Sequence, residues 1–280
     1  MLIGAHVSIT GGLFNAPKNA TALKCEAFQI FSRPPQGGPA TPITPELKKT
    51  FQAALQEHKL EWFCIHTPYY INFASATTRI VKTSISVVRD ELERGSALGA
   101  KYVMAHLGSF KDLGKEKGLA VLAAGLDEVL DGYKGSTQFL IEISAGAGAI
   151  IGDTFEEIAA ITKHPRLKNY DIGVCFDTQH AFASGYDLRT TEGVDATWKK
   201  AEKLLGKNKI KMSHCNDSKV EFNSHRDRHE HIGKGYLGTD AFKHLFSHPG
   251  FGKLTFILET EHDSVVEDIT LLKKIRKNLQ

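Results

Sequence analysis

Eight short apolar, β-branched runs follow one another along the chain, each beginning 25 to 45 residues after the last. They are LIGAHVS from Leu2, AFQIFS from Ala27, WFCIHT from Trp62, YVMAHLGS from Tyr102, QFLIEIS from Gln138, DIGVCFDT from Asp171, IKMSHCND from Ile210 and TFILET from Thr255. Between them lie segments of helical periodicity, such as PELKKTFQAALQEH from Pro45, the stretch from Thr77 to Leu98, and SVVEDITLLKKIRKNL near the end. A strand followed by a helix, eight times over, is the pattern of a parallel sheet with right-handed crossovers, and eight such units close on themselves. The expected fold is therefore α/β, a single (β/α)8 barrel over residues 1–280, with an open doubly wound sheet as the rival. RPPQGGPATP, from Arg33 to Pro42, is short enough to be a loop between strand and helix, and no composition break divides the chain.

A hydrophobic fraction of 41% with 24% charged residues suffices to bury a full core, and no stretch approaches the roughly 20 apolar residues of a membrane span. The opening MLIGAHVS runs straight into a strand without a basic or apolar leader, so secretion is not expected. Cys25, Cys64, Cys175 and Cys215 form no CxxC pair and sit mostly within apolar runs, which fits a reducing cytoplasm. A formal charge of +3 admits a polyanionic partner but is too mild to name one. A monomer without an obligate protein partner is expected.

In barrels of this type the active site lies at the C-terminal ends of the strands, so residue types there carry information. Seven of the eight ends hold a metal-type side chain: His6, His66, His106, Glu142, Asp177, His214 and Glu259. His180 lies just beyond strand six, and Asp227 and His229 lie in the loop after strand seven. Strand two offers none. The histidines are embedded in apolar runs, where a buried polar group needs a partner. Imidazole and carboxylate without thiolate clusters suit Zn²⁺, Mn²⁺ or Fe²⁺ better than Ca²⁺ or Mg²⁺, and zinc leads. The donors are too many for one tetrahedral ion and suit two or three, above all if one carboxylate bridges.

Blander readings stand beside these. A lone strand-end histidine such as His6 more often supports a ligand than acts as one, and it is left off the ligand set. Asp177 with His180 also reads as a turn-capping pair, and RDRHEH from Arg226 as a solvated loop. Asp227 and His229 share one side of an extended segment, but His231 has the same spacing, so spacing leaves the choice open.

Taken together, the motifs GAHVS at Gly4, HTPYYIN at His66, HLGS at His106, EISAGAG at Glu142, CFDTQHAFASGYD at Cys175, HCNDSK at His214, RDRHEHIGKGYLG at Arg226 and LETE at Leu258 resemble those of endonuclease IV. That family is the deoxyribonuclease IV branch of the xylose isomerase-like TIM barrels, and the resemblance covers the whole chain. It implies three zinc ions at the barrel mouth, with some Mn²⁺ substitution allowed by the donor set. His66, His106 and a bridging Glu142 would hold one ion; Glu142, Asp177, His214 and Glu259 the second; His180, Asp227 and His229 the third. Glu142 and Glu259 are read as catalytic as well. The implied substrate is double-stranded DNA containing abasic sites, cut at the phosphodiester 5′ to the lesion to leave a 3′-hydroxyl and a 5′-deoxyribose phosphate. A phosphodiester resists attack, and such ions would supply positive charge and an acidified water.

The resemblance also implies DNA contacts from the loops after strands two and three, where Tyr69 and Tyr70 match a wedge entering the duplex at a lesion whose nucleotide flips out cheaply. The strand-two loop departs from the family. Gln36 followed by Gly37 and Gly38 stands where an Arg and a bulky residue are usual, leaving Arg33 as the nearest cation. Leu107, Ile143 and Gln179 likewise replace the usual Pro, Asn and Cys beside the ligands. The alternative is a metal-dependent sugar isomerase or epimerase on the same barrel, for which Glu142, Asp177, His214 and Glu259 alone would be enough. A surplus of five further ligand-type residues separates the two. A catalytically silent lesion binder is the third reading, and the absence of a thiolate-rich zinc motif speaks against it.

Overall fold

The computed structural model describes residues 1–279. Seven parallel strands come first: β1 (Ile3–His6), β2 (Ala27–Ile30), β3 (Phe63–His66), β4 (Tyr102–Ala105), β5 (Gln138–Glu142), β6 (Gly173–Asp177) and β7 (Ile210–His214). After β7 the chain makes a small antiparallel pair, β8 (Asp217–Ser218) with β9 (His229–Glu230), before the last barrel strand, β10 (Phe256–Leu258). The eight barrel strands close in the order β1-β10-β7-β6-β5-β4-β3-β2, so the open-sheet rival is excluded. A shell of helices follows them: α1 (Ala16–Ala22), α2 (Pro45–Glu57), α3 (Thr78–Leu98), α4 (Gly114–Leu130), α5 (Phe155–Thr162), α6 (Thr178–Ala183), α7 (Thr191–Leu205), α8 (Gly238–Ser247) and α9 (Val265–Asn278). Among the described residues no helix is long and apolar enough to cross a membrane.

Local chemistry sets the boundaries. Pro45 sits in the first turn of α2, where its missing N–H costs nothing, and Thr44 Oγ1 accepts from Leu47 N at 3.1 Å. α3 stops at Gly99, whose φ of 94° is the left-handed geometry of a helix end. Gly4 in β1 pairs with Ala27 in β2, and a Cβ there would fall 1.6 Å from Ala27 O, so the barrel closes at this seam only with glycine.

The two-residue period of a strand then stacks the barrel interior in layers. Ala27, Cys64, Met104, Leu140, Cys175, Met212 and Ile257 pack together as one buried apolar layer. Two residues further along each of these strands, on the same inward face, stand Gln29, His66, His106, Glu142, Asp177, His214 and Glu259. The outward residues between them, such as Ile65, Ile141 and Phe176, join the larger core under the helices. A polar layer is thus laid on a dry apolar floor at the C-terminal mouth.

Candidate metal centre

Glu142, wholly buried, is the hub of the polar layer. Its Oε2 lies 2.9 Å from His66 Nε2 and 3.3 Å from His106 Nε2, while its Oε1 lies 2.9 Å from His214 Nδ1 and 3.4 Å from His180 Nδ1. His214 Nδ1 is also 3.3 Å from Glu259 Oε2 and 3.7 Å from Asp177 Oδ2. Asp177 does two things at once. Its Oδ1 accepts from His180 N at 2.8 Å and caps α6, which is the turn-capping role, and its other oxygen turns to the cluster.

Asp227 and His229 reach the mouth on the loop after β7. His180 Nε2 is 3.3 Å from Asp227 Oδ2, and His229 Nε2 is 3.5 Å from Asp227 Oδ1 and 3.8 Å from Asp177 Oδ2. Asp217 holds that loop in place: its carboxylate accepts backbone N–H groups of Ser218 at 2.7 Å, Gly233 at 2.9 Å, Gly235 at 3.1 Å and Leu237 at 2.9 Å. This is the physical use of the GKGYLG segment. Gln179 adds a tie from α6, donating to Arg226 O at 3.0 Å. His231 is engaged elsewhere, with Nδ1 2.7 Å from Asp268 Oδ2 and Nε2 3.0 Å from Asp263 Oδ1. The chain leaves β9 at Glu230, so the shared side of an extended strand does not carry on to His231.

Three groups of donor atoms lie within 4.8 Å of one another: His66, His106 and Glu142; Glu142, Asp177, His214 and Glu259; and Asp177, His180 and His229, with Asp227 closing the last from the open side. The donor set fits divalent ions. Four carboxylates converge here, and among the described residues no Lys or Arg pairs with any of them, so their charge is met by imidazoles alone. His106 Nδ1 is buried and has no hydrogen-bond partner. Burial alone would raise Glu142, but His106, His214 and His180 hold its carboxyl well below its ordinary value. Burial would likewise raise Asp227, and His180 and His229 keep it low. The thiols of Cys64 and Cys175 belong to the floor beneath; burial raises both, that of Cys175 to about 11, so they stay protonated.

Two residues escaped a reading based on ligand types. Gln29 on β2, fully buried, donates from Nε2 to Glu259 Oε1 at 2.6 Å and accepts at Oε1 from His214 Nε2 at 2.8 Å. Asn216 donates to Asp177 Oδ2 at 2.7 Å and accepts from Glu259 N at 2.9 Å. The available signal was the layer rule: Gln29 follows Ala27 by two residues, as His66 follows Cys64. His6 lies behind Gln29, its Nδ1 3.1 Å from Gln29 Nε2, and burial with the neighbouring His66 and His214 brings its pKa down to about 3.

Over the cluster opens a cavity of about 300 Å³ lined by Phe31, His66, Tyr69, His106, Asp227 and His229 among others. It shares walls with a cavity of about 460 Å³ beside Tyr70 and Asn72 and another of about 400 Å³ between Ser8 and Pro34, so a groove runs across the mouth. Tyr69 stands up from its rim, 69% exposed, with its ring edge-on to Phe31 at 5.2 Å. Tyr70 is half-buried and Gln36 exposed. Arg33 lines the cavity between Ser8 and Pro34 but is only 8% exposed, its guanidinium turned inward to pair with Asp90 and Glu91 on α3.

A family model described as xylose isomerase-like TIM barrel matches residues 17–280. A protein named probable endonuclease 4 from Carboxydothermus hydrogenoformans is 35% identical over 280 residues, covering all of this chain and 98% of that one. One of the same name from Methanoculleus marisnigri is 36% identical over 278 residues, covering 99% and 98%. Among solved structures, endonuclease IV from Thermus thermophilus superposes with a TM-score of 0.84 at 28% identity, covering 100% of this chain and 98% of that one. A D-tagatose 3-epimerase-like protein superposes with a TM-score of 0.75 at 19% identity over 100% and 98% of the two chains, which is a likeness of fold alone.

Proposed function

The chain belongs to the endonuclease IV family of xylose isomerase-like TIM barrels, and from that premise we propose that it is a zinc-dependent AP endonuclease of DNA base excision repair. It hydrolyses the phosphodiester 5′ to an abasic site and leaves a 3′-hydroxyl and a 5′-deoxyribose phosphate. The observation that carries this reading is the surplus of donors. A sugar isomerase on the same barrel would need Glu142, Asp177, His214 and Glu259 alone, yet His66, His106, His180, Asp227 and His229 crowd onto the same cluster.

His66, His106 and Glu142 would hold one ion, Glu142, Asp177, His214 and Glu259 a second, and His180, Asp227 and His229 a third; partial Mn²⁺ substitution suits the same donors. Bound there, three divalent ions would supply a net positive charge for the phosphate and lower the pKa of a water. The chain's own part is to keep Glu142 ionised among four imidazoles, to set Asp177 and Glu259 through Asn216, and to exclude water from below with the apolar floor. Tyr69, exposed at the rim, would stack in the gap left by a flipped abasic nucleotide, with Tyr70 and the exposed Gln36 as further DNA contacts in this reading.

The test is cleavage of an end-labelled duplex bearing one abasic-site analogue by protein purified without chelator, with metal content measured on the same sample. A single nick 5′ to the lesion, about three ions per chain and loss of nicking on stripping are expected. Glu142→Gln should abolish cleavage while lesion binding persists. A full metal complement without nicking would favour the sugar isomerase.

A further inference from the structure

Gln29 is a fully buried amide at the one barrel strand with no ligand-type residue, and all four of its hydrogen-bonding capacities are used. Nε2 donates to Glu259 Oε1 at 2.6 Å and to His6 Nδ1 at 3.1 Å; Oε1 accepts from His214 Nε2 at 2.8 Å and faces Cys64 Sγ at 3.5 Å. The orientation of the amide is fixed by these partners, because an ionised carboxylate only accepts and must therefore meet the NH2 end. The oxygen is then left for His214, so His214 Nε2 must carry a proton. With that nitrogen committed, Nδ1 is the one turned to the cluster, where it lies 2.9 Å from Glu142 Oε1 and 3.3 Å from Glu259 Oε2. Glu259 is oriented by the same amide: with Oε1 held, Oε2 is the oxygen that faces His214.

We propose that Gln29 is a positioning residue for the middle cation, setting the tautomer of His214 and the carboxylate rotation of Glu259 at once. This rests on the metal reading above. Burying an amide costs free energy that an apolar side chain of like volume would not, and the neighbouring floor positions are apolar, so packing alone does not account for a glutamine here. Outer partners that fix a histidine tautomer typically change metal affinity by roughly 10- to 100-fold when lost.

Three measurements test it. The affinity of the wild type and of Gln29→Leu for Zn²⁺ is read by competition with a chromophoric chelator, alongside the thermal transition of the stripped proteins. Gln29→Leu should lose roughly 10-fold or more in affinity for one of the bound ions, with its stripped form still folded. In the zinc-loaded wild type, ¹⁵N NMR should find the His214 proton on Nε2, and Gln29→Glu, which keeps the acceptor, should retain it. A wild type that binds no ion would overturn the metal reading itself. Unchanged affinity in Gln29→Leu, or a His214 that carries its proton on Nδ1 in the loaded wild type, would overturn the positioning role alone, and the second needs no variant to fold.

Discussion

Replacing Glu91 with leucine should cost the barrel several kcal/mol while leaving its candidate metal centre untouched. Glu91 is fully buried on α3, behind the loop from 33 to 42 that borders the groove. Its carboxylate accepts from Ser32 Oγ at 2.5 Å and pairs with Arg33 Nε, while Arg94, 5% exposed, donates from Nε to Ser32 Oγ at 2.6 Å and from Nη1 to Thr41 O at 2.7 Å. Glu91→Leu strands two guanidinium groups in this pocket with only Asp90, half-exposed, as an ionic partner. Breaking one side of a buried ion pair costs ~3–5 kcal/mol, because the charge left behind keeps its desolvation penalty. At about 2–4 °C per kcal/mol for a chain of this size, Tm should fall by roughly 6–20 °C. The sign of the double variant is the sharper check: Arg33→Met/Glu91→Leu removes more hydrogen bonds than Glu91→Leu but no longer buries the Arg33 charge, and should regain about 1–2 kcal/mol. Urea unfolding of the wild type and both variants, with metal content on each, measures this. Binding to an abasic duplex should weaken in Glu91→Leu, since the loop loses its anchor, at unchanged metal content. A double variant less stable than the single one, or a loss below about 1 kcal/mol in Glu91→Leu, would refute the reasoning.

Two further outcomes follow from the geometry. Asp217→Asn replaces two acceptor oxygens by one and points an NH2 either at the backbone donors of Gly233 and Gly235 or at those of Ser218 and Leu237; at about 1–3 kcal/mol per donor left unpaired, the loop carrying Asp227 and His229 should loosen, and under the proposed three-ion reading metal analysis should find the ion on that loop lost first. Gly4→Ala sets a methyl 1.6 Å from Ala27 O at the β1–β2 seam and should leave the chain insoluble or unable to show a cooperative transition by circular dichroism, whereas a well-folded Gly4→Ala protein would mean the seam opens without cost.

How much of this was legible beforehand follows from the range of the signals. The eight strand-then-helix units are local patterns of period 2 and 3.6, so the barrel could be read without coordinates, and the positions of His66, His106, Glu142, Asp177, His214 and Glu259 at the strand ends came with it. Contacts between distant segments are another matter. Gln29 meets His214 at 185 positions' distance and Glu259 at 230, and nothing near Gln29 announces either. Its amide is not a ligand type, so residue chemistry alone does not mark it. Arg33, read as the nearest cation for DNA, is drawn inward by Asp90 and Glu91, which lie 57 and 58 positions away on α3.

By itself the sequence determined the barrel and the polar layer at its mouth, because a strand's two-residue period puts an inward polar side chain directly above an inward apolar one whatever lies across the barrel. Only the tertiary structure decided which of those polar groups meet and which spend themselves elsewhere. His229 joins the cluster and His231, two residues on, pairs with Asp268 of α9, because the direction each ring takes is set by how the loop is pinned on Asp217 and by what the closed barrel brings against it.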